Sequence, residues 1–133
     1  MIFTAKLSID GGEEKEVLQA SYKLDRDTDR NGQPSTTIRA GKVTITVKSG
    51  SDNTSFEWMT NPFAVKSGKI DFYKHNDPTP SKTLSFENAF IIEQGENFNV
   101  MDGEADSPMT ETIVVSAEKI SMNDAFYKNV FTM

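Results

Sequence analysis

The segment Lys42-Val43-Thr44-Ile45-Thr46-Val47-Lys48 decides the fold class, because apolar and polar residues alternate along all of it. A period of two places alternate side chains on opposite faces of a β-strand. One face therefore carries Val43, Ile45 and Val47 toward a core, and the other carries lysine and threonine toward solvent. β-Branched residues also favour strands. The segment predicts a strand with one buried face.

The same alternation extends outward in both directions along the chain. Its apolar positions are Phe3, Ala5, Leu7 and Ile9; Leu18, Ala20, Tyr22 and Leu24; Ile70 and Phe72; Leu84 and Phe86, in a strand running to about Glu93; and Ile113, Val115 and Ala117, in a strand reaching Ile120 or Met122. Turn-forming residues such as Gly11-Gly12 and Asn31-Gly32 separate these runs. The pattern predicts an all-β, mainly antiparallel protein with one short α-helix, either a barrel or a two-sheet sandwich, in a single domain spanning residues 1–133.

The predicted helix lies between Ser49 and Pro62. Thr54 or Ser55 is the expected N-cap, and Glu57 in the first turn suits the positive end of the helix dipole. Phe56, Met59 and Phe63 recur at helical spacing, which predicts that they form the buried stripe. Trp58 falls off that stripe. Two interpretations stay open for it, packing at the edge of the core or contact with a neighbouring subunit, since tryptophan is enriched at interface hot spots.

The composition excludes several classes of function. Hydrophobic residues make up 36% of the 133 residues, a lean core for a soluble domain, and the net charge is −6, from 20 acidic and 14 basic residues. Nucleic acid is not an expected partner, because phosphate binding depends on lysine and arginine. There is no cysteine and no apolar run of about 18 residues. We expect no membrane insertion, no signal peptide and synthesis in the cytoplasm.

One loop resembles the start of a calcium site. Asp27, Asp29 and Asn31 occupy the first, third and fifth positions of such a loop, and Gly32 occupies the sixth. The twelfth position, where a bidentate glutamate belongs, is Ile38. Arg26 and Arg30 also bring positive charge. We therefore predict a solvated turn or a contact loop and no metal site.

No other motif predicts chemistry. The single histidine, His75, stands beside Asp77 in a turn, and the chain has neither a Gly-x-Ser-x-Gly elbow nor a glycine-rich phosphate loop. The segment Glu93 to Glu111 contains six acids and no bases, which predicts an open acidic loop or a contact with a basic surface on a neighbour. The sequence predicts no catalytic residue, no cofactor and no enzyme activity.

Several stretches together resemble the Bacteroidetes branch of the type VI secretion tube protein family, Hcp or TssD. They are residues 3–11, beginning Phe3-Thr4-Ala5-Lys6; residues 31–47, beginning Asn31-Gly32-Gln33-Pro34; Phe56-Glu57-Trp58-Met59 with Ser67-Gly68-Lys69-Ile70-Asp71-Phe72; Gly95-Glu96-Asn97-Phe98; and residues 108–120, beginning Pro108-Met109-Thr110-Glu111. The sequence departs from the family pattern at Gln33, where arginine is commoner, and in an unusually aromatic tail, Asp124 to Met133.

The resemblance implies a two-sheet β-barrel with one short α-helix, six copies of which close into a ring, and rings that stack into a tube. It further implies sheath and spike proteins as partners, effector cargo in the lumen, cytoplasmic assembly and ejection from the cell on firing. A polar loop between two strands, Asp25 to Thr37, is a natural axial contact, so the ring-stacking residues are expected to be Asp27, Asp29, Arg30, Asn31, Gly32 and Arg39. The alternatives are a phage-like tail tube subunit, a monomeric barrel that binds a small molecule and, with least support, a secreted hydrolase.

Overall fold

The computed structural model of the chain describes residues 3–35, 41–50, 52–98 and 109–128. Seven strands and one helix follow in the order β1 Phe3–Ile9, β2 Lys15–Tyr22, β3 Lys42–Lys48, α1 Thr54–Thr60, β4 Lys66–Lys74, β5 Lys82–Phe98, β6 Met109–Met122 and β7 Ala125–Lys128. All strand pairings in this part of the chain are antiparallel. The predicted all-β class with one short helix is confirmed.

Six of these strands close into a barrel. The hydrogen-bonded order is β3-β2-β1-β4-β5-β6, and β3 pairs again with β6 from Lys42↔Ser116 to Lys48↔Thr110. β7 pairs with the same edge of β6 farther along, from Lys119↔Lys128 to Met122↔Ala125. Closure gives each of the six barrel strands a neighbour on both sides, which protects them from edge-to-edge aggregation. The shortest of these pairings joins β1 to β2, at Lys6↔Glu16 and Leu7↔Lys15.

The barrel interior is the hydrophobic core. In β3, Val43, Ile45 and Val47 are buried as the alternation predicts, and Lys42 and Thr44 are exposed. The fully buried large side chains include Trp58, Phe86, Ile45, Ile70, Leu84 and Ile113, which come from the helix and four different strands. These side chains fill the barrel, so the interior is a packed core.

β2 departs from the predicted pattern. Leu18, Tyr22 and Leu24 were expected on one buried face with Ala20, but they are between 41% and 47% exposed. The pairing of β2 with β3 shifts by one residue between Val17 and Gln19, which marks an irregularity in the strand. Such a shift interrupts the alternation at Leu18. Ala20 and Tyr22 pair with Ile45 and Val43, so they share the face toward the core, and Tyr22 is the last residue of β2 at the end of the barrel. Val17 and Ala20 are the residues that pack against the core.

The predicted helix is confirmed, but the prediction that Phe56 and Met59 form its buried face is wrong. Ser55 and Trp58 are buried, whereas Phe56 and Met59 are 58% and 44% exposed. The N-cap is Asn53, one residue before the expected pair, and the helix ends at Asn61 ahead of Pro62 as predicted. A helix of seven residues presents only a narrow face, and here one tryptophan fills it.

β5 and β6 are longer than the sequence predicted. β5 continues past Glu93 to Phe98, and Phe98 pairs with Met109 at the start of β6. Part of the expected acidic loop is therefore sheet. The rest of it, residues 99–108, lies outside the described residues.

Candidate assembly surfaces

The strand directions give the barrel two distinct ends. At one end, here called the loop end, β2 ends, β3 begins and the connection between β4 and β5 turns back. At the other end, the helix end, β1 turns into β2, β3 leads into α1, and the last residues of β5 pair with the first residues of β6. The predicted stacking loop leaves the loop end.

The described part of that loop is a small hairpin. Thr28 pairs with Pro34, and the N–H of Asp29 donates to the carbonyl of Gln33 over 2.8 Å. Oδ1 of Asp29 accepts two further hydrogen bonds across the tip, from the N–H of Asn31 at 2.9 Å and from that of Gln33 at 3.1 Å. Gly32 has a φ of 79°, in the left-handed region that glycine adopts without strain. The backbone therefore fixes the shape of the tip.

The structure brings most of the predicted stacking residues together. Asp29, Asn31 and Gly32 build the hairpin tip, and the side chains of Asp27 and Arg30 are exposed beside it. Arg39 lies outside the described residues. The role of this loop in ring stacking stays a prediction.

The same hydrogen bonds bear on the calcium-like motif. A carboxylate oxygen that accepts two backbone N–H groups is already satisfied, so Oδ1 of Asp29 acts as a turn acceptor. Within the described residues, no group of three histidine, aspartate or glutamate side chains is placed to hold a metal ion.

Trp58 is not available to a neighbouring subunit. Its side chain is 1% exposed, and its Nε1 donates to the carbonyl oxygen of Ala64 over 3.1 Å. The proposed interface role of Trp58 is therefore corrected to a core role, the other interpretation that the sequence left open. The exposed aromatic side chains around the helix are Phe56 and Phe63.

A buried charged cluster at the helix end was missed from the sequence. Glu111 is 5% exposed; its Oε1 lies 3.5 Å from Nζ of Lys15, and its Oε2 accepts a hydrogen bond from Nε2 of Gln94 at 3.0 Å. Nζ of Lys15 also lies 3.1 Å from Oδ1 of Asp52. Lys15 and Glu111 are 96 positions apart, so no local motif could have shown their contact.

The cluster shifts the pKa values of two of its members. Burial lowers the pKa of the Lys15 ammonium, but the hydrogen bond with Asp52 and the charges of Glu111 and Asp52 outweigh it, and the net effect raises this pKa. A hydrogen bond with Thr54 is the main cause that lowers the pKa of Asp52, assisted by Lys15 and opposed by burial. Both groups are thus held in their charged forms. The arrangement ties the start of β2 to the residues before α1 and to β6.

The remaining candidates from the sequence form no catalytic site. His75 is exposed in the turn between β4 and β5, and Oδ1 of Asp77 accepts the N–H of Thr79 at 2.9 Å. Two cavities of about 400 and 430 Å³ are open to solvent, and the interior that a ligand-binding barrel would keep open is filled by side chains of the described residues. No helix among the described residues has the length and apolar run to cross a membrane.

A model of the family described as "Hemolysin coregulated protein Hcp (TssD)" matches residues 1–131. The chain belongs to the Hcp (TssD) family. Hcp is a tube protein of the type VI secretion system, a structural component that the system secretes, and not an enzyme. The predicted family resemblance and the predicted absence of enzyme activity are confirmed by this match.

Solved structures agree with the family. The chain is similar to Hcp1 from Flavobacterium johnsoniae, with 38% identity, a TM-score of 0.84, and coverage of 95% of this chain and 99% of that one. Hcp1 from Salmonella typhimurium is 16% identical, with a TM-score of 0.72 over 96% of this chain and 92% of that one. The tube-terminating cap of the anti-feeding prophage shares the fold at 15% identity, with a TM-score of 0.55 over 91% and 88% of the two chains. No curated protein matches the chain.

Proposed function

We propose that this Hcp chain forms rings of six subunits that stack into the inner tube of a type VI secretion system. The tube would lie inside a contractile sheath beneath a spike, carry effector cargo in its lumen and leave the cell on firing. The observation that carries this proposal is the match to the Hcp family over residues 1–131, together with 38% identity to an Hcp1 over 95% of the chain.

The packing of the barrel supports a tube built from several subunits. Its interior is filled by buried side chains from the strands and the helix, so the described residues leave no channel through one subunit. A lumen must therefore lie between copies arranged around an axis. A ring of identical subunits uses one heterologous contact that closes, and stacking uses a second that does not close.

The stacking contact proposed here is the hairpin at residues 27–35. It follows β2 at the loop end of the barrel, and its tip is held by the hydrogen bonds of Asp29. A fixed tip loses little conformational entropy on binding. The mixed charges of Asp27, Asp29 and Arg30 favour correct register over affinity.

Electron microscopy and light scattering of the purified protein test the proposal. We expect ring-shaped particles with the mass of six chains, and stacks of such rings at high concentration. A protein that stayed monomeric at high micromolar concentration, with no rings on the grid, would contradict it. That result would instead favour the monomeric barrel.

A further inference from the structure

The helix end exposes an apolar knob that the barrel does not use. It consists of Phe56 and Met59 on α1 and of Phe63 and Val65 after it, with exposed fractions of 58%, 44%, 85% and 44%. These four residues lie within ten positions of the chain, and exposed apolar patches mark interaction surfaces. Phe63 protrudes most.

The loop end carries an apolar groove. Two depressions of about 400 and 220 Å³ share Tyr22, Leu84 and Met122 in their walls. Leu24 and Phe126 line the second depression and are 46% and 65% exposed. The knob and the groove thus lie at opposite ends of one barrel.

The two ends also differ in charge, and the helix end is acidic. Its described residues in 10–16, 48–57, 66, 93–98 and 109–111 carry nine carboxylates and three lysines. The knob therefore sits within a surface of negative potential.

The loop end has the opposite balance. Its described residues in 22–35, 41–42, 74–82 and 123–128 carry seven lysine and arginine side chains and five aspartates. Beside the groove, Nζ of Lys119 lies 4.4 Å from the ring centroid of Phe126 and 3.7 Å from Oε2 of Glu87, so this lysine is ion-paired and is not counted in the balance. Opposite potentials attract across an interface, and like potentials are penalised.

We infer that the groove at the loop end, lined by Tyr22, Leu24 and Phe126, is the docking site for Phe56 and Phe63 of a second copy of this chain. The contact is head-to-tail, between the helix end of one subunit and the loop end of the next. A head-to-tail contact joins two different surfaces, so between rings that are already closed by another contact it repeats without closing and builds a filament. The inference rests on the proposed tube function and names the apolar contact that would join one ring to the next.

The charge balance also decides against the symmetric arrangements. Two helix ends facing each other would bring two acidic surfaces together, and two loop ends would leave both knobs in water. Only the head-to-tail arrangement covers both apolar surfaces and pairs opposite charge. The groove and the hairpin at residues 27–35 belong to the same end, so both contacts act at one junction.

Crosslinking through introduced cysteines tests the contact, because the chain has no cysteine of its own. A variant with Leu24→Cys and Phe63→Cys, treated with a flexible bis-maleimide, should give a denaturant-resistant ladder that extends beyond six subunits. The variants with one cysteine should not crosslink alone, whereas their mixture should give dimers. Dimers of Leu24→Cys alone, a ladder that ends at six, or no crosslinking in the mixture would overturn the inference.

Blocking variants provide the second measurement. Phe63→Asp places a carboxylate on the knob, and Leu24→Asp places one in the groove. Each variant should lower end-to-end association by at least about tenfold. A mixture of the two leaves one usable knob and one usable groove, and should form paired rings that do not extend. Circular dichroism checks that both variants fold. If either variant forms intact rings that stack as the wild type does, the docking site is overturned and the proposed function is not. Absence of rings in the wild-type protein would contradict the proposed function.

Discussion

The aromatic ring of Phe86 lies against the backbone of Gly68, its partner residue in the antiparallel pairing of β5 with β4. A Cβ built on Gly68 would lie 2.7 Å from Cζ of Phe86 and 2.7 Å from the carbonyl oxygen of Ser8. Phe86 is fully buried, so its ring has no free space to move into. The pairing of β4 with β5 is also irregular here, with one extra residue on β5 near Asn88, whose φ is 51°. The glycine is required by this close approach.

Gly68→Ala should therefore destabilise the protein by about 1–3 kcal/mol, the usual cost of overpacking a core. The matched control is Gly95→Ala in the same sheet, because a Cβ at Gly95 meets no atom within 4 Å. Urea unfolding followed by circular dichroism measures both. Equal stability of the two variants would show that the ring of Phe86 moves aside at no cost.

Trp58→Ala should lower the free energy of unfolding by about 3–5 kcal/mol, since it leaves a cavity in the core. Phe56→Ala, two positions away on the exposed face, should change it by no more than about 0.5 kcal/mol. Trp58 is the only tryptophan, so its fluorescence reports on the helix. Emission from the native protein at the wavelength of a solvent-exposed indole would contradict the buried position.

Lys15→Met should destabilise the protein by about 1.5–3 kcal/mol, because it leaves the buried carboxylate of Glu111 without its cation. Lys48→Met is the control: the ion pair of Lys48 with Glu16 is exposed and contributes at most about 1 kcal/mol. Chemical denaturation at neutral pH compares the two. A larger loss for the control would rule out a structural role for the buried cluster.

The same cluster makes stability depend on pH in a defined direction. The pKa of Asp52 is lower in the folded protein than its ordinary value of 3.8, so its contribution is present above that pH and is lost as pH falls through the folded pKa. The pKa of Lys15 is raised above 10.5, so its contribution is complete below that pH and is lost as pH rises through the folded pKa. In Lys15→Met the alkaline loss should be smaller than in the wild type. An unchanged alkaline limb in denaturation curves would show that Lys15 is not its source.

Arg30→Glu should break ring stacks and leave rings intact, if the hairpin at residues 27–35 is an axial contact. One exposed charge contributes about 0.2–1 kcal/mol, and six copies at a ring junction add up to a few kcal/mol. Arg30→Lys keeps the charge and serves as the control. Asp29 is a poorer target than the sequence alone indicated, because its carboxylate shapes the tip; Asp29→Asn preserves the acceptor and removes only the charge. Negative-stain images with unchanged stack length in Arg30→Glu would exclude the hairpin as the contact.

Calcium should not bind specifically at Asp27, Asp29 and Asn31. Oδ1 of Asp29 already accepts two backbone N–H groups, and the bidentate glutamate of a calcium loop is replaced by Ile38. Isothermal titration calorimetry of the wild type and of Asp27→Ala should give the same small, nonspecific heats. Micromolar binding that disappears in Asp27→Ala would refute this.

The sequence by itself determined which segments are strands wherever one face of a strand meets the core throughout its length. β3 and the middle of β6 are such strands, and the buried residues that their alternation predicts are confirmed because burial follows the period of two. It also determined the position of the helix, through Pro62 and the polar residues before it, and it carried enough family resemblance to indicate a type VI tube protein.

Only the tertiary structure decided which side chains those elements bury where the local pattern is interrupted or ambiguous. The irregularity in β2 left Leu18 exposed, and packing against the barrel buried Trp58 and not Phe56 in α1. Contacts such as Lys15 with Glu111 arise because barrel closure brings distant strand ends together. Local periodicity specifies the spacing of apolar residues along an element, whereas the partner face, the register and the pairing of charges depend on where the rest of the chain lies.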